Sequence, residues 1–312
     1  MAHQKKRKSK KRIWWWIIGI FAVILLAGGG YGYSIYHSFD KNFEKTQIKH
    51  ETKKREKEVS LKHVDPVSIL LLGVDERKND SGRSDTIIVL TANPQTKDMK
   101  MVSIPRDTYT AIVGKGTIDK LNHAYAFGGI QMASDSVEAL LNIPIDYIAE
   151  VNMEGFKDLV DAVDGITVKN TLAFKQDNYN FPKGTITLDG KAALSYVRMR
   201  HEDPQGDFGR QDRQKQVISG ILKESVSTKS LTNYDEIFTA LGKNVHTSLT
   251  LSDITSLQKN YKDSINNIDQ ITFKKGKGQT IDGIWYYKMN QKELSSVSKE
   301  LRHHLELPDN DK

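Results

Sequence analysis

The sequence predicts an α/β protein with a single mixed β-sheet covered by helices on both faces, preceded by one transmembrane helix. Val67–Val74 is a continuous apolar run, as expected of a strand buried on both faces. Beyond it, strand-like and helix-like segments alternate with short links. Near the N-terminus, Ile13–Tyr33 contains no charged residue, and a helix of that length crosses a hydrocarbon core of about 30 Å.

Charge is distributed unevenly along the chain. The 312 residues carry 46 Lys+Arg and 39 Asp+Glu, a net charge of +7. Seven basic residues and no acidic residue lie within residues 1–12, so the rest of the chain has 39 of each sign and is neutral. A neutral domain is not expected to bind nucleic acid through its charge. The absence of cysteine excludes thiol catalysis and Cys-ligated zinc, and it fits an exported protein without disulfides.

The order of these segments predicts a single-pass membrane protein with its N-terminus in the cytoplasm. Aromatic residues lie at both ends of the apolar run, and the basic cluster precedes it. A cleaved signal peptide is the alternative, but the run is long for that class and no A-x-A site follows it. The predicted parts are a cytoplasmic basic tail (1–12), a transmembrane signal anchor (13–33), a charged stalk (34–65), an extracytoplasmic domain (66–307) and a tail (308–312).

The elements of the domain follow from its hydrophobic pattern. Short apolar or alternating runs between turn residues predict strands, and apolar residues on one helical face predict helices. The predicted strands are 67–74, 86–92, 99–104, 145–151, 166–169, 185–188, 270–274 and 284–289. The predicted helices are 129–141, 154–163, 210–228, 233–243, 251–262 and 291–305.

Opposite charges are concentrated in the stretch from Ala193 to Val217. It holds four arginines and four acidic residues, namely Arg198, Arg200, Arg210, Arg213, Glu202, Asp203, Asp207 and Asp212. Because these charges cancel, one interpretation is a network of internal ion pairs. The other is a site for an anion or phosphate, since arginine is the preferred bidentate partner of phosphate oxygens. The spacing favours the second interpretation and leaves the first open.

The spacing of the arginines is the reason. Asp189 is expected to cap a helix, and if that helix frays before Arg198, then Arg198 and Arg200 lie two apart on extended chain and point the same way. A second helix is expected from about Gly209. Its first turn presents free N–H groups to anions, and residues four apart on it share one face. The pair on that face is Arg210 and Gln214.

Two carboxylates bracket the loop after the first predicted strand. Asp75 ends that strand and Asp85 begins the next, so in a hairpin the two side chains face each other across the loop mouth. Carboxylates without His or Cys suit Mg²⁺, although Asp more often caps a turn. Arg106 follows a buried strand, where α/β sheets usually place their sites. The sequence lacks phosphate-loop, GxSxG, HExxH and GxGxxG motifs, which disfavours nucleoside triphosphate, serine hydrolase and zinc peptidase chemistry.

Five segments of the chain resemble the LytR–CpsA–Psr family. They occur in the family's order and, with the basic leader, anchor and stalk, cover most of residues 1–220, whereas the remainder matches less distinctively. The segments are GVDERKNDSGRSDTIIVL (73–90), MVSIPRDTY (101–109), DKLNHAYAFGG (119–129), VNMEGFKDLVDAVDGI (151–166) and LDGKAALSYVRMRHEDPQGDFGRQDRQKQV (188–217).

The resemblance is strongest to the branch that attaches wall teichoic acid. It implies an enzyme at the outer surface of the cell membrane. It would transfer a phosphate-linked glycopolymer from an undecaprenyl-pyrophosphate carrier to the C6 hydroxyl of N-acetylmuramic acid in peptidoglycan, forming a phosphodiester. The implied pyrophosphate ligands are Arg106, Lys120, Arg198, Arg200, Arg210 and Gln214. The implied Mg²⁺ ligands are Asp75 and Asp85, and the implied catalytic residues are Arg106, Asp207 and Arg210, with Asp207 helping to activate the acceptor hydroxyl.

Several alternatives stay open at this level. A polyprenyl-pyrophosphate phosphatase would use the same head-group site with water as the acceptor, and a non-catalytic cell-wall or regulatory protein needs no turnover. The lipid tail implies an apolar tunnel. Val217, Ile218 and Ile221 either line such a tunnel or pack in the core. The polymer and the oligomeric state are left undefined.

Overall fold

The computed structural model describes residues 46–308 apart from 51, 53, 56–58, 76–81, 201 and 228–243. The predicted basic tail, the membrane anchor and the predicted helix at 233–243 lie outside these residues. Within the described part, every helix is too short or too polar to traverse a bilayer. This part of the chain is a mixed α/β fold with a central mixed sheet and helices, as the sequence predicts.

The described residues form fourteen strands. They are β1 (Val67–Val74), β2 (Ser84–Asn93), β3 (Asp98–Ser103), β4 (Tyr109–Ile112), β5 (Thr117–Lys120), β6 (Tyr147–Asn152), β7 (Ile166–Asn170), β8 (Phe174–Gln176), β9 (Tyr179–Phe181), β10 (Gly184–Leu188), β11 (Val245–Thr247), β12 (Ile268–Thr272), β13 (Lys277–Ile281) and β14 (Ile284–Lys288). Six of them form the central sheet in the order β11-β6-β1-β2-β3-β12. The β1–β6 and β3–β12 pairs are parallel and the other three pairs are antiparallel.

The same described residues form seven α-helices: α1 (Leu121–Leu141), α2 (Met153–Ala162), α3 (Gly190–Arg198), α4 (Asp207–Ser225), α5 (Leu251–Asn260), α6 (Lys262–Asn266) and α7 (Gln291–His304). α1 begins eight residues ahead of the predicted start at 129. It is broken at Gly128 and Gly129, where Gly129 has φ 63° and ψ −154°, a conformation that other residues rarely adopt. The break hides the first part of the helix from a periodicity argument.

Helices cover both faces of the central sheet. Leu70 and Leu72 of β1 pack on one face in a cluster that includes Leu301 of α7. Ile69, directly before Leu70, points to the other face and joins a cluster with Tyr261, at the junction of α5 and α6. Each fully buried aliphatic side chain of this kind stabilises the fold by roughly 1.5–3 kcal/mol. Burial on both faces explains why β1 is a continuous apolar run.

The prediction of a single sheet holds for the central six strands only. The segments predicted at 166–169 and 185–188 pair with each other as β7–β10, and the segment predicted at 284–289 forms a hairpin with β13. Two further hairpins, β4–β5 and β8–β9, complete the described strands. Four of the five residues of β13 are exposed, so this strand has no apolar face with which to enter a covered sheet.

Part of the segment predicted as a solvated stalk lies against the domain. Ile48 N donates to Thr247 O at 3.0 Å, extending the edge of the sheet beyond β11. Arg55 Nε lies 2.8 Å from Asp146 Oδ1, a residue 91 positions away in the chain. Contacts with the domain therefore begin ahead of residue 66. The charge pattern did not predict this because the partner carboxylate is remote in sequence.

We expect Asp146→Ala to lower the free energy of unfolding by about 3 kcal/mol, because it leaves the Arg55 cation half-buried without its partner. The Asp146 side chain is 1% exposed and also accepts hydrogen bonds from Ser68 N (2.8 Å) and Ser68 Oγ (2.9 Å). The matched control is Asp263→Ala, whose ion pair with Lys97 is exposed and contributes at most about 1 kcal/mol. Urea unfolding measures both, and equal losses would contradict the prediction.

Candidate active site

Three elements meet at one end of the central sheet. β1 ends at Val74, where β2 begins, and β3 ends beside the start of β2. The first turns of α4 reach the same place, because Ser103 Oγ donates to Gln211 Oε1 at 3.0 Å and Gln214 Nε2 donates to Thr86 Oγ1 at 2.8 Å. Residues that follow β3, precede β2 or begin α4 are thereby brought together.

Arg106 lies at the centre of this region, three residues after β3. Its Nη1 is 3.0 Å from Asp85 Oδ2, and its Nε is 3.5 Å from Asp107 Oδ2. Burial alone would lower the pKa of Arg106, but the surrounding carboxylates outweigh burial and raise it. Those carboxylates belong to Asp85, Asp107 and Asp207. The guanidinium is therefore held as a cation in a largely enclosed position.

Lys120 joins the same group through a carboxylate that the sequence analysis did not single out. Lys120 Nζ lies 2.8 Å from Asp107 Oδ1. The β4–β5 ladder pairs Tyr109 with Lys120, which returns the chain to the neighbourhood of Asp107. Asp107 thus links two of the predicted pyrophosphate ligands, Arg106 and Lys120. Its place beside Arg106 in the PRDT segment was the available signal.

The start of α4 contributes the third buried cation. Arg210 Nη2 is 2.6 Å from Asp207 Oδ1, one helical turn earlier, and the Arg210 side chain is 13% exposed. Burial lowers the pKa of Arg210, the carboxylates of Asp207 and Asp85 partly offset this, and the positive charges of Arg106 and Arg200 lower it further. Arginine stays protonated at neutral pH even so. Like charges are consequently crowded together here, and a bound anion would relieve their repulsion.

Two donors in this cluster make no hydrogen bond to the described residues. Arg106 Nε and Arg210 Nε are both buried and make no hydrogen bond there. Buried donors are nearly always satisfied in proteins, and leaving one unsatisfied costs about 1–3 kcal/mol. Two such donors on neighbouring cations are typical of a site whose ligand supplies the acceptors. Phosphate or pyrophosphate oxygens match both the charge and the fork geometry of guanidinium groups.

Arg213 and Asp203 instead form the internal ion pair that the sequence analysis left open. Arg213 Nη1 is 2.5 Å from Asp203 Oδ2, and both side chains are 6% exposed. The same guanidinium donates to the carbonyl oxygens of Tyr196 (3.1 Å) and Met199 (2.5 Å). Gly209 is required beside it, because a Cβ at that position would lie 1.8 Å from Asp203 Oδ2. The pair fastens the connection between α3 and α4.

The other two arginines of this stretch, Arg198 and Arg200, have different surroundings in the structure. The Asp189 side chain caps α3, accepting from Ala192 N at 2.7 Å, but the helix continues through Arg198 and does not fray before it. Arg198 and Arg200 are both exposed. Arg200 lies in the field of Arg210 and lines a cavity beside Asp207. Arg198 makes no ion pair within the described residues, and its role as a ligand stays a prediction.

The carboxylates predicted to bind Mg²⁺ lie at the end of a hairpin, as expected. Asp75 N donates to Arg83 O at 3.3 Å, two residues from Asp85 on β2. Asn122 Nδ2 donates to Asp85 Oδ1 at 3.5 Å, and Asn122 Oδ1 is buried without a hydrogen-bond partner in the described region. An uncommitted oxygen beside a carboxylate fits a hard cation with oxygen ligands. Groups of three or more His, Cys, Asp or Glu that could hold a metal do not occur among the described residues.

A cavity of about 340 Å³ adjoins the cation cluster on the side of Asp207. Asp107, Arg200 and Asp207 border it, as do Trp285 and Tyr287 of the β13–β14 hairpin. A larger cavity of about 920 Å³ lies elsewhere, between the part of the stalk that contacts the domain and the start of α5. It contains no predicted site residue. The chemistry of the residues therefore locates the site better than cavity size does.

The apolar residues that follow Arg210 on α4 pack against two core clusters. Val217 is fully buried in the cluster around α3 and β7, with Ile221 packed against it. Ile218 packs on the opposite cluster, beneath the central sheet. Of the two interpretations of these residues, ordinary core packing is the one that the contacts favour.

Comparisons with known proteins identify the family. A profile of the LytR_cpsA_psr family matches residues 33–303. A curated relative from Bacillus cereus, named polyisoprenyl-teichoic acid–peptidoglycan teichoic acid transferase TagU, is 50% identical over 294 residues, covering 92% of this chain and 96% of its own. The resemblance deduced from the five sequence segments is confirmed.

Solved structures extend the agreement to the fold. The crystal structure of Bacillus subtilis TagU matches with a TM-score of 0.64 and 48% identity, over 78% of this chain and 99% of its own. A structure titled TagT bound to LIIa-WTA matches with a TM-score of 0.71 and 35% identity, over 83% of this chain and 97% of its own.

The two roles assigned to arginines near α4 predict different effects. We expect Arg213→Ala to lower the free energy of unfolding by about 3 kcal/mol, because it leaves the buried Asp203 carboxylate without its cation. Arg200→Ala removes an exposed side chain and should change the free energy of unfolding by no more than about 0.5 kcal/mol. Urea denaturation of the two variants makes the comparison. A destabilised Arg200→Ala variant with a stable Arg213→Ala variant would reverse the assignment.

Proposed function

Because this chain belongs to the LytR_cpsA_psr family, we propose that it transfers a phosphate-linked glycopolymer from a polyprenyl-pyrophosphate carrier to peptidoglycan. The polymer is a wall teichoic acid, the carrier undecaprenyl pyrophosphate, and the acceptor the C6 hydroxyl of N-acetylmuramic acid. The relatives' names describe this class of transfer, and TagT has been solved with a bound LIIa-WTA. The single observation that carries the proposal is the pair of buried Nε donors on Arg106 and Arg210 that make no hydrogen bond to the described residues.

The cation cluster would bind the pyrophosphate of the donor. Arg106 and Arg210 offer Nε donors that make no hydrogen bond to the described residues, and Lys120 lies within the same network through Asp107. Arg200, Arg198 and Gln214 complete the proposed ligand set. Gln214 is already oriented by its bond to Thr86 Oγ1. The cations of this cluster repel one another, and a dianionic ligand reduces that repulsion when it binds. The electrostatics of the site therefore favour a pyrophosphate ligand.

The reaction is a phosphoryl transfer in which one P–O bond replaces another. The acceptor hydroxyl oxygen attacks the phosphorus that carries the glycopolymer, and the bond from that phosphorus to the bridging pyrophosphate oxygen breaks. The products are a phosphodiester to peptidoglycan and polyprenyl monophosphate. Negative charge grows on the leaving group, and fixed guanidinium groups are well suited to stabilise it without reorganising. Arg106 and Arg210 take that role.

Asp207 is the group we assign to the acceptor's proton. Its carboxylate lies between Arg210 and the 340 Å³ cavity, with Oδ1 beside the guanidinium and Oδ2 accepting from Gln211 Nε2 at 3.2 Å. Oδ1 is buried and makes no hydrogen bond of good geometry within the described residues. A carboxylate held in one orientation beside the entry of the hydroxyl can accept its proton as the new bond forms.

A magnesium ion fits the same end of the sheet. Asp75 and Asp85 would hold it, with Asn122 Oδ1 as an additional oxygen, since Mg²⁺ commonly takes one or two carboxylates together with phosphate oxygens and water. Bound there, the ion would neutralise charge on the phosphate oxygens. Asp85 also holds Arg106 at 3.0 Å, so it orients the guanidinium whether or not the ion is present.

The placement of the protein follows from the same proposal. A donor carried by a membrane lipid must be met at the membrane surface, so the segment 13–33 anchors the chain and everything after it is extracytoplasmic. The protein is then a single-pass enzyme with residues 1–12 in the cytoplasm. A hydrolytic polyprenyl-pyrophosphate phosphatase remains the competing enzyme, and product analysis with and without peptidoglycan acceptor separates the two.

We expect Arg106→Ala to reduce transfer at least about 100-fold, because it removes a cation aimed at developing negative charge. Arg106→Lys should recover only part of the activity, since an ammonium cannot reproduce the guanidinium fork. Arg302→Ala is the matched control: that arginine donates to Asn142 O on the surface. Transfer of labelled glycopolymer to peptidoglycan is the measurement. Near-normal turnover in a folded Arg106→Ala enzyme would contradict the assignment.

The proposed metal ligands predict a change in magnesium dependence. Replacing Asp75 and Asp85 together with asparagine should remove most activity, and the residual activity should no longer respond to added Mg²⁺. The measurement is a magnesium titration of transfer in wild type and in the double variant. Activity that persists and still requires magnesium would place the ion on other residues.

A further inference from the structure

The β13–β14 hairpin presents a half-exposed indole beside the candidate active site. Trp285 has 49% of its surface exposed, although large aromatic side chains are usually buried more fully. It lines the 340 Å³ cavity together with Tyr287, two residues further along β14 and on the same side of the strand. Neither residue belongs to the predicted site. The sequence offered little signal here, because the C-terminal part resembles the family least.

The hairpin is built to hold this ring in place. Trp285 lies against Gly278 on the opposing strand, where a Cβ would come within 2.7 Å of the indole Nε1. Tyr287 beside it is fixed by a hydrogen bond from its hydroxyl to Phe273 O at 2.7 Å. The indole therefore lies close to the Gly278 backbone through Nε1, Cε2 and Cζ2, and Tyr287 on the same side of β14 is held in place. A preorganised flat surface binds a ligand without losing side-chain freedom.

The other borders of the cavity are mixed, with apolar surface from Pro105 and Phe208 beside polar and charged side chains. Arg200, Gln205 and Gln211 supply hydrogen-bonding groups, and Asp107 and Asp207 supply carboxylates. A hydrocarbon chain in this cavity would have to desolvate those charges, which is costly. A sugar ring matches both kinds of wall, because its C–H face packs on the negative face of an aromatic ring while its hydroxyls meet polar groups.

We propose that Trp285 is the platform on which a sugar ring of the glycan acceptor stacks. Stacking presents a hydroxyl of the acceptor glycan to Asp207. The assignment rests on the proposed function. It favours the acceptor over the donor's sugars because Asp207 is shared by two regions: one side faces Arg210 in the cation cluster, and the other faces the cavity. The donor phosphorus sits on the cation side, so the attacking hydroxyl arrives from the cavity.

Trp285 provides its own probe, because the other three tryptophans of the chain are residues 14–16. We would replace those three by phenylalanine in the full chain and reconstitute it in lipid vesicles. Soluble peptidoglycan glycan strands should then change Trp285 fluorescence saturably and shield it from acrylamide. This titration needs no turnover, so it tests the platform even if transfer itself fails. A Trp285 signal that glycan strands leave unchanged would overturn the proposal.

Kinetics then separate the acceptor from the donor. Trp285→Ala should raise the KM for glycan acceptor about tenfold, with Trp285→Phe in between. Binding of inorganic pyrophosphate and the KM for the donor should stay unchanged. Ile284→Ala is the matched control, since Ile284 is 46% exposed on the same strand but outside the cavity lining, and it should behave as wild type.

Two outcomes would identify a different role. Quenching of Trp285 by brominated lipids in the vesicles, with Ile284→Ala as impaired as Trp285→Ala, would make the hairpin a membrane contact. A raised donor KM with an unchanged acceptor KM would move the stacked sugar to the donor. If the wild-type protein did not bind pyrophosphate, the proposed function would be contradicted. The fluorescence titration with glycan strands would still test the Trp285 platform.

Discussion

The position of the candidate site depends on one buried guanidinium. Arg213, 6% exposed, binds the Asp203 carboxylate and two carbonyl oxygens of the chain leaving α3, and so ties the α3–α4 connection to the second turn of α4. Removing either partner of such a pair leaves an uncompensated buried charge. Because Arg213 satisfies this segment internally, its neighbours Arg200 and Arg210 are available for the proposed ligand site.

The rest of the site is a balance of like and opposite charges. Arg106 is surrounded by carboxylates, which raise its pKa, whereas burial and nearby cations lower the pKa of Arg210. The cluster is thus neither a closed salt-bridge network nor an open basic patch. Two guanidinium edges keep unsatisfied donors, and the nearby carboxylates are shared between cations. An anion with several oxygens completes this arrangement better than any side chain in the described region.

The proposed catalytic and binding roles divide between two parts of the fold. The charged groups lie at strand ends of the central sheet and at the start of α4. Core clusters cover the sheet on both faces. The β13–β14 hairpin is a small ribbon outside that sheet, and it adds aromatic surface to the same cavity. In the proposed mechanism the core holds the reacting groups in position while the exposed ribbon contributes to recognition, a common division in enzymes.

The sequence by itself determined what depends on near neighbours. The apolar run of β1, the Asp189 cap and the hairpin that carries Asp75 and Asp85 follow from local pattern, and the family resemblance from ordered motifs. Only the tertiary structure decided that Arg213 is structural while Arg200 lines a cavity, since both lie in one charged stretch. The partners that separate them, Asp203 and two backbone carbonyls, are brought into reach by the turn between α3 and α4. Ion pairing depends on distance in space, which charge order along the chain does not determine.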